Sequence, residues 1–318
     1  MLKTSMPPLA PLDGNTFSGS PLDRFGLLRK NKAWLSKLFS DPDSVFLPYW
    51  NEKHLVEQAS NKIIFFPKQK LSKFFDGNEE IVFLGMRIED GSSDGPGYFA
   101  VDLSHIPENS IRECAPNASL LDIRQAIQII SNTDASIIGC ARGLLYWHSR
   151  AQHCGICGHE TKSSAGGYER ICKNLDCGKT QFPRTDPAVI VLVHNENSCL
   201  LGRQSWWPAG MHSTLAGFLE PGESLEEAVR REIMEESGVL VSDITYHSSQ
   251  PWPLPGSLMV GFKARAHTLE LNIDYQELER AIWITREELI QIKESDSFRL
   301  PGKYSIARRL IEDWLKES

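Results

Sequence analysis

Three glutamates lie close together in the segment GFLEPGESLEEAVRREIMEESGV, residues 217–239. Glu232, Glu235 and Glu236 stand at i, i+3 and i+4, so one side of a helix would carry all three carboxylates. Like charges at these spacings repel one another, and a helix that is merely solvated would carry lysines between them. Oxygen ligands of this kind bind hard divalent cations such as Mg²⁺, which share their coordination with substrate phosphates. The pattern therefore predicts a cation site for a phosphate-bearing substrate.

Recognisable signals bound the helix that must position these carboxylates. Ser224 and Glu227 fit the capping-box pattern S-x-x-E at its start, and Gly238 suits its C-terminal stop. Glu223 and Arg231 carry opposite charges and are spaced to pair across the loop and the helix. The stripe predicted to face the core consists of Leu225, Ala228, Val229 and Ile233.

Nine positions of this segment match the Nudix box, and the chain therefore resembles the Nudix hydrolases. The matching residues are Gly217, Glu223, Arg231, Glu232, Ile233, Glu235, Glu236, Gly238 and Val239. The resemblance implies cleavage of a nucleoside diphosphate derivative at its pyrophosphate, with Glu223 and Arg231 in the catalytic set. Mg²⁺ or Mn²⁺ on the three helix glutamates would neutralise phosphates and lower the pKa of a water molecule. One of these glutamates, or a neighbouring one, would act as the general base.

Four of the seven cysteines lie within 24 residues and form a second candidate site. Their spacing is Cys154-x2-Cys157-x14-Cys172-x4-Cys177. Four thiolates at about 2.3 Å complete a tetrahedral Zn²⁺ site with no open position, so the spacing predicts one structural zinc. Buried free thiols are the alternative, and His153 or His159 could replace one ligand.

The segment SQPWPLPGS, residues 249–257, contains three prolines around one tryptophan. The prolines exclude a helix and the interior of a regular central strand. The segment resembles the signature of the NADH pyrophosphatase group of Nudix hydrolases, in which Phe is usual at the position of Leu254. That group also carries a four-cysteine zinc ribbon before its Nudix domain. The segment would then form one wall of a dinucleotide pocket; a structural corner around a packed tryptophan is the alternative.

The same resemblance assigns roles to individual residues. Phe182 and Phe218 match the aromatic positions that hold an adenine ring, and core packing is the alternative for Phe182. Glu277, in YQELERAIW, matches a further metal-binding glutamate. Glu279 is the alternative for this position, and the L-x-x-A-x-W spacing favours Glu277 as the metal-binding residue. The remaining predicted substrate-binding residues are Gln250, Trp252, Ser257, Met259 and Ala307.

Changes in the pattern of apolar residues and cysteines along the chain predict three domains. Residues 1–147 form a mixed α/β domain with a structural or dimerisation role, 148–182 the zinc ribbon, and 183–318 an α/β unit with the α+β Nudix fold. In the first part, EEIVFLGMRI and GYFAVDL predict the two strands of a hairpin across DGSSDGPG. Residues 117–152 show helical spacing and predict two helices with a break near Asn132–Asp134.

Composition limits the possible partners and the location. The net charge of −7 and the pI near 5.8 argue against general DNA binding and against a membrane-surface protein. No apolar run reaches the ~18 residues that a membrane span needs. The opening residues MLKTSMPPLAPLDGN lack the apolar region of a secretory signal. We therefore expect a cytoplasmic protein with no membrane association.

Taken together, these patterns predict hydrolysis of NAD(H) to NMN(H) and AMP. Removal of NAD caps from RNA 5′ ends breaks the same bond, so the resemblance implies that activity as well, together with a homodimer. One alternative is a broader Nudix pyrophosphatase acting on ADP-ribose or dinucleoside polyphosphates, against which SQPWPLPGS argues. A remote alternative is a non-catalytic zinc-ribbon regulator that senses nucleotides, against which the intact set of box carboxylates argues.

Overall fold

The computed structural model describes residues 14–77, 79–87, 95–295 and 297–317. The chain divides into two compact units, one running up to Arg184 and including Pro253–Gly256, the other formed by Thr185–Trp252 and Ser257–Ser318. The first 13 residues, and residues 88–94 in the predicted hairpin turn, lie outside the described part. Among the helices of the described part, none has both the length and the apolar character to cross a bilayer.

A seven-stranded sheet forms the framework of the first unit, with strand order β1-β5-β6-β2-β3-β7 and β4 beside β2. Its strands are β1 (Leu22–Asp23), β2 (Val45–Trp50), β3 (Lys53–Glu57), β4 (Phe66–Pro67), β5 (Ile81–Arg87), β6 (Gly97–Asp102) and β7 (Ala118–Asp122). The helices of this unit are α1 (Lys32–Ser40), α2 (Lys68–Leu71), α3 (Glu108–Cys114), α4 (Ile123–Ala126) and α5 (Asn132–Arg150). The strands β5 and β6 pair antiparallel, as the hairpin prediction requires.

The helix predicted from residue 117 to the break near 132 is wrong over most of its length. Ala118–Asp122 forms β7 and pairs antiparallel with β3. The apolar spacing of ASLLD is compatible with a half-buried strand as well as with a helix, and the backbone partners that β3 offers decide the outcome. The break itself is where it was predicted, because the hydroxyl of Ser131 accepts a hydrogen bond from the backbone N–H of Asp134 at 3.1 Å and begins α5.

A small antiparallel sheet follows α5 in the same unit. It consists of β8 (Thr161–Ser164), β9 (Glu169–Cys172) and β10 (Thr180–Gln181), in the order β10-β9-β8. The buried guanidinium of Arg170 donates to Glu80 Oε2 at 2.7 Å and to Thr161 Oγ1 at 2.7 Å. The bond to Glu80 ties the small sheet to the residues just before β5, and the bond to Thr161 joins β9 to β8.

The second unit is built on a six-stranded mixed sheet with strand order β14-β15-β11-β12-β16 and β13 beside β11. Its strands are β11 (Asp186–His194), β12 (Ser198–Arg203), β13 (Leu215–Phe218), β14 (Val241–Trp252), β15 (Ser257–Ala266) and β16 (Arg280–Thr285). Its helices are α6 (Leu225–Ser237), α7 (Arg286–Gln291) and α8 (Ile306–Lys316). The central pair, β11 and β15, runs parallel.

Alternate side chains of β11 face two different cores. Val189 and Val191 pack with Ile233 of α6 on one face of the sheet. Ile190 and Leu192 pack with residues of α8 on the other face. Because a strand buried on both faces exposes neither set of side chains, DPAVIVLVH reads as an almost continuous apolar run. The carboxylate helix therefore lies on one face of the sheet and α8 on the other.

Candidate active site

The carboxylate helix α6 begins and ends at the predicted residues. Ser224 Oγ accepts the backbone N–H of Glu227 at 3.2 Å, and Glu227 Oε2 accepts the N–H of Ser224 at 2.7 Å, which completes the capping box. At the other end Gly238 adopts φ 72°, the left-handed conformation that glycine tolerates best. These two ends fix which residues of α6 face the sheet.

Three carboxylates converge beside α6, and one of them comes from a distant segment. An oxygen each of Glu232, Glu236 and Glu277 lies within 4.8 Å of the other two. Glu277 reaches this point because its segment docks on the last turn of α6, where the N–H of Asp274 donates to the carbonyl of Glu236 at 3.1 Å. Its sequence rival Glu279 is bound instead to Arg203, at 2.9 Å. Of the two candidates, the fold therefore brings Glu277 beside Glu232 and Glu236, and its role as a metal ligand stays a prediction.

Glu235, the third helix glutamate, lies outside this group. Its side chain is 59% exposed, and its Oε2 accepts a hydrogen bond from Arg231 at 3.0 Å. The i, i+3, i+4 spacing places the three residues on one side of α6, but only Glu232 and Glu236 are buried against the sheet. A role for Glu235 in holding a cation remains a prediction.

Arg231 organises the carboxylates around the helix. Its guanidinium contacts both oxygens of Glu223, at 2.6 and 2.8 Å, and Glu232 Oε1 at 2.9 Å. It also donates to the carbonyl of Phe218 at 2.9 Å, at the end of β13. Hydrogen bonds from Arg231, and one from the backbone N–H of Glu220, lower the pKa of Glu223 to about 2. The predicted pair of Glu223 and Arg231 is therefore present, and it fixes the carboxylate of Glu232 from one side.

Gly217 is required where β13 meets the carboxylate of Glu232. A Cβ atom at this position would lie 1.9 Å from Glu232 Cδ, and the carboxylate occupies the space that any side chain would need. The first glycine of the box therefore leaves room for the buried carboxylate next to the strand.

Glu236 is the most deeply buried member of the carboxylate group. It is 3% exposed, and its Oε2 has no hydrogen-bond partner in the described part of the chain. Burial, followed by the negative charges of Glu232 and Glu277, raises the pKa of Glu236 to about 8. A buried carboxylate oxygen without a partner is costly, so the arrangement fits an oxygen-preferring divalent cation held by Glu232, Glu236 and Glu277.

A cavity of about 240 Å³ adjoins Glu236 within the second unit. Four residues of its wall were predicted to bind substrate from the sequence: Gln250, Trp252, Met259 and Ala307. Wall residues that the sequence did not indicate include Gln204, Trp207, Thr214 and Ser305. The one usable signal was the aromatic pair in QSWWPAGM, because aromatic side chains on a loop between strands are candidates for ligand contact.

Gln250 lines the cavity, but its amide group is engaged by the protein itself. Its Nε2 donates to the carbonyl of Tyr304 at 2.7 Å, and its Oε1 accepts the N–H of Ile306 at 2.8 Å. The side chain is completely buried. Gln250 therefore joins β14 to the start of α8, and its part in substrate binding remains a prediction.

The segment SQPWPLPGS is shared between the two units: Pro253–Gly256 belong to the first, and the residues on either side belong to the second. Residues 249–252 continue β14, which is an edge strand, so Pro251 is tolerated there without loss of a central ladder bond. The indole ring of Trp252 stacks on Tyr304, with centroids 6.3 Å apart and an interplanar angle of 18°. Pro253 and Pro255 belong to the first unit, where the guanidinium of Arg142 donates to both of their carbonyls.

The other predicted substrate residues lie outside the cavity wall. Phe182 belongs to the first unit and is 65% exposed, so core packing is wrong for it. Phe218 ends β13 in the second unit and is 59% exposed. Ser257 is buried and faces Trp252 in the register of β14 and β15. The proposed adenine contacts of both phenylalanines remain predictions.

The four predicted zinc ligands come together in the first unit. Their sulfur atoms lie within 4.8 Å of one another, with Cys154 Sγ 3.9 Å from Cys177 Sγ and Cys157 Sγ 3.4 Å from Cys172 Sγ. A tetrahedral ion with metal–sulfur bonds of about 2.3 Å requires sulfur–sulfur separations of about 3.8 Å. The geometry therefore fits a four-thiolate metal site.

Two family models match the chain. The NUDIX domain model covers residues 184–303, and the model of the NADH pyrophosphatase-like rudimentary NUDIX domain covers residues 43–147. A solved NUDIX hydrolase from Nitrosomonas europaea aligns with 43% of this chain and 79% of its own, with 23% identity and a TM-score of 0.38. The fold class predicted from the sequence is confirmed by the two family models.

Of three curated relatives, two match nearly the whole chain and the third matches 62% of it. NAD-capped RNA hydrolase NUDT12 of Macaca fascicularis is 36% identical over 95% of this chain and 73% of its own length. NAD-capped RNA hydrolase of Schizosaccharomyces pombe is 33% identical over 94% and 93%, and NAD-capped RNA hydrolase NudC of Mycobacterium bovis is 41% identical over 62% and 66%. The chain therefore belongs to the Nudix hydrolases, in the group whose Nudix domain follows an NADH pyrophosphatase-like domain.

Proposed function

We propose that this enzyme hydrolyses the pyrophosphate bond of NAD(H), giving NMN(H) and AMP, and the same bond in NAD caps at RNA 5′ ends. The observation that carries the proposal is the position of Glu236, which belongs both to the carboxylate group and to the wall of the adjacent cavity. A dinucleotide with one half in the cavity would present its pyrophosphate to the carboxylates. The printed names of the relatives support the capped-RNA substrate.

In the proposed reaction a water oxygen forms a bond to one phosphorus atom while the bridging P–O bond breaks. Mg²⁺ or Mn²⁺ held by Glu232, Glu236 and Glu277 would supply charge neutralisation for the pyrophosphate and activation of water. Arg231 keeps Glu223 and Glu232 in fixed orientations through its hydrogen bonds. The proton released from water passes to a carboxylate of the group, acting as general base.

The aromatic lining of the cavity favours a dinucleotide, which has a second base to place there. Trp207 and Trp252 both line the cavity, and aromatic faces suit a flat base. ADP-ribose carries one base, its adenine, and lacks the nicotinamide that would occupy this cavity. A non-catalytic nucleotide sensor is less favoured, because the buried and unpartnered Oε2 of Glu236 has no evident use without a cation.

Several finer assignments belong to the same proposal. We infer that the four-thiolate site holds one structural Zn²⁺, that the enzyme is a cytoplasmic homodimer, and that the parts 1–147, 148–182 and 183–318 are its domains. The sulfur separations support the zinc. The relatives that match nearly the whole chain support the joint presence of the three parts in one protein.

Product analysis with purified protein tests the activity. NADH, NAD⁺, ADP-ribose and a diadenosine polyphosphate are offered in parallel with Mg²⁺ or Mn²⁺, and products are separated by chromatography. We expect NADH or NAD⁺ to be cleaved with the highest kcat/KM, to a mononucleotide and AMP. Faster cleavage of ADP-ribose would contradict the assignment of the cavity to the nicotinamide, while leaving the carboxylate group as a pyrophosphatase centre.

A variant of the carboxylate group shows whether the measured hydrolysis comes from this protein or from a contaminating enzyme. Glu236→Gln keeps the shape of the side chain and removes its charge, so turnover should fall by about 100-fold or more while the circular dichroism spectrum stays unchanged. A folded variant that keeps near wild-type turnover would show that Glu236 is not part of the catalytic group.

A further inference from the structure

The loop between β12 and β13 forms one wall of the cavity. Residues 204–211, which we call the tryptophan loop, contain two successive turns: the N–H of Trp207 donates to the carbonyl of Gln204 at 3.1 Å, and the N–H of Met211 donates to the carbonyl of Pro208 at 3.1 Å. Gly210 has φ 72°, which suits a glycine in the second turn. Both Gln204 and Trp207 line the cavity.

The side chain of Arg203 binds the carbonyls of this loop. Its guanidinium donates to the carbonyl of Pro208 at 2.7 Å, to that of Trp207 at 3.2 Å and to that of Met211 at 3.5 Å. The side chain is only 14% exposed. Because a guanidinium presents its N–H donors in a rigid planar fork, bonds to several carbonyls fix the loop in one orientation.

The same guanidinium is anchored on its other side to the segment that carries Glu277. Arg203 Nε lies 2.9 Å from Glu279 Oε2, and the N–H of Glu279 donates to the carbonyl of Arg203 at 2.8 Å. Glu277, two residues earlier, belongs to the carboxylate group. Arg203 is therefore bonded to the cavity wall on one side and to a residue next to the carboxylate group on the other.

We propose that Arg203 is a positioning residue that holds Trp207 in the cavity wall and thereby gives the enzyme its preference for a substrate with a nicotinamide base in the cavity. The proposal rests on the proposed function, with the nicotinamide half of the dinucleotide in that cavity, since Phe182 and Phe218, which match the adenine positions, lie outside its wall. Without the guanidinium, three loop carbonyls lose a donor and Trp207 is no longer held against the cavity. Contacts to the pyrophosphate and to the other nucleoside stay in place.

The test compares two substrates that differ at the base. NADH carries the nicotinamide ring, and ADP-ribose has the same pyrophosphate and both riboses but lacks it. We expect Arg203→Gln to lower the ratio of kcat/KM for NADH to kcat/KM for ADP-ribose by about 10-fold, mainly through KM for NADH. Trp207→Ala should lower the same ratio, and Arg203→Lys, which can keep the pair with Glu279, should lower it less.

Two controls make the result specific. Arg112→Gln removes an exposed pair with Glu108 on α3 and should leave the ratio unchanged. Melting temperatures identify variants that fail to fold, and Arg203→Lys then supplies the comparison. Equal losses on both substrates would overturn the proposal, because they would show that Arg203 supports only the fold or the carboxylate group. A wild-type enzyme that does not cleave NADH would refute the proposed function instead.

Discussion

At the scale of single residues, burial distinguishes glutamates that the sequence pattern treats alike. The spacing of Glu232, Glu235 and Glu236 could predict a shared side of the helix, and the fold adds that Glu235 is exposed and paired with Arg231. Glu277 could be selected over Glu279 only by resemblance, since its approach depends on how its segment docks on α6. Gln250 was predicted to bind substrate, but the sequence could not predict what its amide group binds. Its hydrogen-bond partners are backbone groups 54 and 56 residues away in the chain.

The raised pKa of Glu236 leads to a pH-dependent prediction for the cation-free protein. Its pKa is about 8 in the folded chain against a usual value of 4.5, so between these values the native state holds a proton that the unfolded state has released. The contribution of Glu236 to the free energy of unfolding therefore falls as the pH rises from about 4.5 to 8. Glu236→Gln lacks this loss, and we expect its Tm to exceed that of the wild type by about 5 °C at pH 8 in EDTA, by calorimetry.

At pH 4 the difference between the two proteins should largely disappear, because Glu236 is protonated in both states of the wild type. Addition of Mg²⁺ at pH 8 should raise the Tm of the wild type more than that of the variant, since a cation that binds the native state stabilises it. A Tm advantage for Glu236→Gln that does not change with pH would contradict the assigned pKa shift.

At the scale of elements, local signals predicted the helix that carries the chemistry and missed the strand that tertiary pairing creates. The helix α6 has a capping box, a glycine stop and an apolar stripe, all of which are local. In contrast, Ala118–Asp122 becomes a strand only because β3 pairs with it. The tryptophan loop was also beyond prediction, because its shape depends on turn bonds and on donors from the Arg203 side chain.

The four cysteines in and beside the small sheet predict a zinc site that stabilises this part of the fold. Cys154→Ser should lose about one zinc per chain and lower the Tm by about 5 °C or more, because the binding energy of a structural zinc is part of the folding energy. Metal content is measured by plasma emission spectroscopy and Tm by calorimetry. Cys140→Ser, at a half-buried cysteine outside the group, serves as the control and should keep its zinc. Unchanged zinc and Tm in Cys154→Ser would refute the four-thiolate site.

At the scale of the whole molecule, the negative charge limits how an RNA substrate can be held. With a net charge of −7, the protein has no excess of cations to neutralise a phosphate backbone. Recognition of a capped RNA would then depend on the dinucleotide at its end. The free dinucleotide and the capped RNA should accordingly be handled by the same cavity.

The salt dependence of kcat/KM tests whether the protein contacts the phosphate backbone of the RNA. Proteins that neutralise 6–10 phosphates lose roughly 10³–10⁵ in affinity between 50 and 200 mM salt. We expect kcat/KM on NAD-capped RNA to fall by less than about 10-fold over this range, close to the change seen with free NADH in the same buffers. A steep loss confined to the RNA would reveal a local basic surface that contacts the backbone.

The bonds from Gln250 to Tyr304 and Ile306 also have a genetic consequence. They make the start of α8 a wall of the cavity, whereas the carboxylates lie at 232–277, upstream in the chain. A nonsense mutation between codons 278 and 304 would therefore encode a polypeptide with every box residue and no complete cavity. Such an allele would retain the whole diagnostic motif and still be a null allele, so the motif alone is a poor guide to which gene copies are functional.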